Sequence, residues 1–142
     1  MSSTILFLCR ANLCRSPAAE VMLTRALATV QVDAKVISAG MEVEEGQLAP
    51  GDFMELALLR GIDLRDHRQM VFTPDLGEDA DLVLTMTRDL LRGMVVETPA
   101  LWPRSFTLLE LVRRGVADEP LDAPAAPLWT DEFSNLLGVY RW

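Results

Sequence analysis

The stretch TILFLCRANLCRSP, residues 4–17, joins an apolar run to a polar turn and then to a helix start. Ile5-Leu6-Phe7-Leu8 has no polar interruption, the pattern of a strand covered on both faces. Ser16 suits a helix N-cap, and Pro17, which has no N–H to leave unsatisfied, suits the first helical position. Beyond them Ala19, Met22, Leu23, Ala26, Leu27 and Val30 recur at the spacing of one helix face. A strand feeding a helix through a short turn is the junction at which open parallel sheets bind ligands.

Working outward, the same alternation continues. Val36-Ile37 reads as a second short strand ended by Ser38-Ala39-Gly40. Asp52 to Arg60 reads as a helix stopped by Gly61. Asp81 to Met86 is a further buried strand and Arg88 to Val96 a further helix. Ser105 to Leu109 follows as a strand, running into a helix that ends near Gly115. Residues 116–129 hold three prolines and no periodicity, so a loop is expected there, and Thr130 to Trp142 reads as a last helix. There is no internal repeat and no linker. The expectation is one α/β domain over residues 1–142, a parallel sheet with helices on both faces in a Rossmann-like three-layer arrangement.

Composition narrows the function classes. With 50% hydrophobic and 24% charged residues, the 142-residue chain has the balance of a folded domain. Its net charge of -8 repels nucleic acid and anionic lipid, so neither is an expected partner. No apolar run reaches bilayer length, and Thr4–Cys9 is too short for a signal-peptide core, so the cytoplasm is the expected compartment. Two cysteines make no disulfide framework, and Cys9-x4-Cys14 offers too few ligands for zinc. No metal or cofactor is expected. Nucleophilic or redox thiol chemistry is left.

The turn has the parts for it. Successive backbone N–H groups between Cys9 and Ser16 can converge into an anion-binding nest at the positive pole of the following helix. Asn12 tolerates the left-handed backbone such a nest requires. Cys9, first after the strand, lies at the floor, where amides and a guanidinium favour thiolate over thiol. Arg15 can fold over the mouth and grip two oxygens of a tetrahedral anion. A charged nucleophile below, a planar fork above and fixed donors around are what in-line attack on phosphorus needs. Glu20 is expected to point outward, away from a bound anion.

Cys9-Arg-Ala-Asn-Leu-Cys-Arg-Ser-Pro17 resembles the signature C-x-G-N-x-C-R-S-P of the low-molecular-weight protein tyrosine phosphatases. Ile37-Ser-Ala-Gly40, Gly61-Ile-Asp63 with His67-Arg68, and Ala80-Asp-Leu-Val-Leu-Thr-Met86 extend the likeness over about the first hundred residues. Ala11 replaces the usual Gly and is strained if that position needs positive φ. Thr87 stands where many relatives carry an Asp that steadies the Arg, for which Asp89 is a substitute.

The resemblance implies a four-stranded parallel sheet and metal-free hydrolysis of phosphotyrosine through a phosphocysteine. Cys9 is then the nucleophile and Arg15 the clamp, with the loop residues Arg10, Ala11, Asn12, Leu13, Cys14, Arg15 and Ser16 cradling phosphate. Ser16 hydrogen-bonds the thiolate, and Asn12, Ser38 and His67 hold the loop in shape. Cys14 captures oxidised Cys9 as a reversible disulfide. The partners implied are a tyrosine-phosphorylated protein and inorganic phosphate, product and inhibitor, acting on a monomer.

The family takes its general acid from a late Asp-Pro-aromatic loop. No Asp-Pro occurs here, and the substitutes are Asp122 first and Asp118 second. Trp129 is a candidate wall for an aromatic substrate, and Arg10 at the rim suits acidic flanking sequence. Two alternatives stand beside the phosphatase: a phosphate-binding regulatory domain without an effective acid, and an arsenate reductase. The second is disfavoured because it passes electrons through further cysteines that this chain lacks.

Overall fold

Strand β1 (Ser3–Cys9) lies inside a four-stranded sheet because both of its faces are apolar. The computed structural model describes residues 2–44 and 46–117. β2 (Ala34–Gly40) pairs with one edge of β1 and β3 (Leu82–Thr85) with the other, and β4 (Ser105–Thr107) pairs with β3. All pairings are parallel, in the order β2-β1-β3-β4.

Side chains alternate across the sheet. Leu6, Leu8, Ala39 and Val83 pack with Met94 and Leu101 on one face, while Phe7, Val36 and Leu84 pack with Ala19 and Leu108 on the other. The first face is covered by α3 (Pro74–Glu78) and α4 (Arg88–Glu97), through Leu76, Leu91 and Val95. The second is covered by α1 (Arg15–Thr29) and α5 (Leu108–Ala117), through Met22, Leu23, Leu27, Leu111 and Val112. A third cluster joins α1 to α2 (Gly51–Leu59) through Ala18, Phe53 and Ala57, with Ile62 and Leu64. This is the expected parallel sheet with helices on both faces. Burial on both sides is why β1 reads as an unbroken apolar run.

Several details differ from the sequence reading. β2 runs through Ser38-Ala39-Gly40, which the pattern took as its end. β4 stops at Thr107, so Leu108 and Leu109 open α5, which continues past Gly115 to Ala117. α3 and a 3₁₀ segment at Pro99–Arg104 were not expected; each is too short to show helical periodicity. Gly61, at φ 75°, does end α2 as a glycine should.

The connection from β1 leads to β2 on one side, and the chain then returns to β3 on the other. The carboxyl end of β1 is therefore a topological switch point, and Cys9 is its last residue. No helix among the described residues is long and apolar enough to cross a membrane.

Candidate active site

The turn after β1 is shaped by where its carbonyls go. Cys9 O accepts from Met41 N at 3.1 Å and Arg10 O from Glu42 N at 2.8 Å. Ala11 O accepts from Gln69 Nε2 at 2.6 Å, and Asn12 O lies 2.7 Å from His67 Nε2. A carbonyl can only accept, so that His67 nitrogen carries the proton. In a planar trans peptide the N–H points opposite to the C=O. Tying four successive carbonyls to outside partners thus turns the amides of Arg10, Ala11, Asn12 and Leu13 to the other side of the chain. The Asn12 N–H shows which side that is, donating to Cys9 Sγ at 3.1 Å. The Asn12 N–H thus faces the sulfur, on the side where a nest is expected.

Asn12 is the keystone of the loop. Fully buried and at φ 52°, it occupies the left-handed region in place of a glycine. Its Oδ1 accepts from Met70 N at 2.9 Å, which fixes the amide orientation. Nδ2 then donates to Ser16 Oγ at 2.9 Å and to Ser38 Oγ at 3.0 Å. Because Ser16 Oγ accepts there, its own proton is free for Cys9 Sγ, 2.9 Å away. The buried sulfur therefore receives an amide N–H and a hydroxyl, both suited to a negative charge.

Ala11 is unstrained: among described non-glycine residues only Asn12 and Gln31 have positive φ. The glycine requirement falls instead on Gly40, paired with Cys9 in the sheet. A Cβ there would come within 2.8 Å of Arg10 O and 2.9 Å of Ala11 C.

Other expectations are corrected. Ser16 is not the N-cap: Cys14 holds that position without a side-chain cap bond, and Ser16, inside the first turn, faces the sulfur. Glu20 does not point outward; its Oε2 accepts from Ser38 Oγ at 2.5 Å. It sits beyond the first turn of α1, on the side facing β2. Thr87 caps α4 by accepting from Leu90 N at 3.3 Å. Arg15 forms no ion pair with Asp89 or any other described residue. Cys14 is a free thiol whose pKa is pushed up to about 11, by burial first and then by Cys9, so it stays protonated near neutrality. Asp118, Asp122 and Trp129 lie outside the described residues, as do the expected proline-rich loop from residue 118 onward and the last helix.

His67 reaches the loop as the resemblance implied, but sequence reasoning missed the residues that follow it, 69–72. Gly40 N donates to Met70 O and Phe72 N to Gly40 O, so residues 70–72 run beside the end of β2 like a short extra strand. Gln69 is buried there, 58 residues from its partner Ala11, and nothing in its local sequence signals the bond.

The family described as low molecular weight phosphotyrosine protein phosphatase matches residues 4–124. Relatives include the probable low molecular weight protein-tyrosine-phosphatase EpsP of Ralstonia nicotianae, 35% identical over 83% of this chain and 79% of its own. A protein-arginine-phosphatase of Bacillus subtilis is 32% identical over 96% of this chain and 84% of its own. Among solved structures, a low molecular weight protein tyrosine phosphatase from T. tengcongensis superposes with a TM-score of 0.74 at 31% identity, covering 96% of each chain.

Proposed function

Because the chain belongs to the low molecular weight phosphotyrosine protein phosphatase family, whose members work through a phosphocysteine, we propose that it hydrolyses phosphotyrosine in proteins with Cys9 as nucleophile. The observation that carries this reading is the Cys9 sulfur itself, buried at the head of a nest and accepting from Asn12 N–H and Ser16 O–H.

In the first step the thiolate attacks phosphorus in line. An S–P bond forms as the P–O bond to tyrosine breaks, and the phenolate oxygen takes a proton from a carboxylic acid, Asp122 or Asp118. Arg15 and the amides of residues 10–16 hold the equatorial oxygens, where negative charge grows. In the second step water attacks phosphorus, the same carboxylate takes its proton, and the S–P bond breaks. Ser16 O–H stabilises the departing thiolate. Asn12, Ser38 and His67 keep the loop in this shape. Inorganic phosphate leaves, and as a tetrahedral anion it also competes for the cradle. Oxidation of Cys9 to the sulfenic acid by a peroxide lets the Cys14 thiol condense with it, giving a disulfide and water. The same reading makes the chain a cytoplasmic monomer formed of one domain.

The experiment is turnover of p-nitrophenyl phosphate and a phosphotyrosine peptide by wild type, Cys9→Ser and Asp122→Asn. Activity lost in Cys9→Ser and reduced in Asp122→Asn is expected. A wild type that binds phosphate without turnover would make the chain a phosphate-binding domain. One observation favours a second reading: the Bacillus subtilis relative that spans nearly all of this chain is named for phosphoarginine. Comparing kcat/KM for phosphotyrosine and phosphoarginine peptides decides between them.

A further inference from the structure

We propose that Gln69 is a positioning residue for the nucleophile: by gripping the Ala11 carbonyl it aims the Asn12 N–H at the Cys9 sulfur. The inference rests on the reading of Cys9 above and deepens it.

The peptide group joining Ala11 to Asn12 carries both ends of the argument. Its oxygen accepts from Gln69 Nε2 at 2.6 Å, and its hydrogen goes to Cys9 Sγ, with Asn12 N 3.1 Å from the sulfur. No peptide in the described chain is cis, so O and H lie on opposite sides of one rigid plane. Holding the oxygen fixes the hydrogen. The neighbouring peptides are pinned differently: those after Cys9 and Arg10 by the backbone amides of Met41 and Glu42, and the one after Asn12 by His67. At the peptide that touches the sulfur, the grip is the Gln69 side chain.

Gln69 is built for this bond. It is 7% exposed, and its backbone is held on both sides, N donating to Gln47 O and O accepting from Gly46 N. The amide orientation is unambiguous, because the flipped form would set two acceptor oxygens 2.6 Å apart. Its Oε1 finds no partner among the described residues, so its side chain's one bond to them is the one to Ala11. The other ionisable groups tied to the network are Cys14, Arg15, Glu20 and His67, with Asp52 acting on Cys14, and none of them hydrogen-bonds the Gln69 side chain.

Two variants test this. Gln69→Met keeps length and burial but has no donor, and Gln69→Glu is isosteric but donates only when protonated. Three readouts need no turnover: the pH profile of Cys9 alkylation by iodoacetamide, the dissociation constant of inorganic phosphate, and the Asn12 amide proton shift. In folded Gln69→Met the alkylation profile moves to higher pH by about half a unit to one unit, and phosphate binds about three- to tenfold more weakly. The Asn12 proton resonance moves upfield. In Gln69→Glu the phosphate constant, taken as a ratio to wild type at each pH, recovers as pH falls and the carboxyl gains its proton. Folded Gln69→Met with profile and phosphate constant within twofold of wild type overturns the proposal, as does a Gln69→Glu ratio that ignores pH. Wild type that alkylates readily and is shielded by phosphate, but turns over no phosphoester, sinks the phosphatase reading and leaves this one standing.

Discussion

Replacing Gly40 with alanine tests whether the nest is shaped by its neighbour in the sheet as well as by its own residues. An added Cβ would lie 2.7 Å from Val43 Cγ2, 2.8 Å from Arg10 O and 2.9 Å from Ala11 C. The valine methyl can rotate away. The two backbone atoms cannot, because Arg10 O is held by Glu42 N and Ala11 O by Gln69. Restoring ordinary contact at 3.4 Å pushes the peptides on both sides of Ala11, 10–11 and 11–12, by roughly half an ångström. Overpacking of this kind costs about 1–3 kcal/mol. For a chain of 142 residues that lowers Tm by about 3–10 °C. The larger effect falls on chemistry. A misplacement of 1 Å can cost about a hundredfold, so half of that predicts a loss of about tenfold or more in kcat/KM. Thermal denaturation and p-nitrophenyl phosphate turnover measure the two effects separately. Turnover within twofold of wild type, whatever happens to Tm, would show that the loop yields freely and that its clamped carbonyls do not set the geometry.

Further perturbations address other parts of the site. Cys9→Ser removes turnover altogether yet still binds phosphate by calorimetry, because the amides and Arg15 are untouched; residual turnover above background would place the nucleophile elsewhere. Asn12→Ala takes a donor from both Ser16 and Ser38, strands Met70 N and puts at φ 52° a residue that tolerates it less well than Asn, so urea unfolding should show a loss of about 3 kcal/mol or more. A loss under about 1 kcal/mol would mean that the network is solvated rather than structural. Cys14 binds its proton more tightly folded than unfolded, with a pKa raised from 9.0 to about 11. Its contribution is therefore complete below pH 9.0 and is lost as pH rises towards about 11. Cys14→Ala should flatten stability against pH over that interval, and an unchanged slope would refute it.

Much of the site was legible because it is local. Cys9, Asn12, Arg15 and Ser16 fall within one strand–turn–helix passage, and backbone preference and hydrogen-bond chemistry act there over a few residues. The strands were legible for a similar reason: apolar runs such as Ile5–Leu8 and Leu82–Leu84 can only be buried on both faces. Local chemistry misjudged Ser16, a good cap by type, because a buried sulfur competes for its hydroxyl more effectively than a solvated helix end.

What the sequence by itself determined is the alternating α/β order, the strand–turn–helix passage and the thiol at the head of that turn, since each depends on neighbours within a few positions. Only the tertiary structure decided how that turn is held. Ser38 and His67 were named through the family resemblance, but Glu20 reaches Ser38 from α1, Gln69 arrives from 58 residues away, and Gly40 is required by a contact across strands. The physical reason is that a carbonyl's partner is chosen by proximity in space, and parallel crossover connections bring together residues whose sequence separation carries no periodic signal.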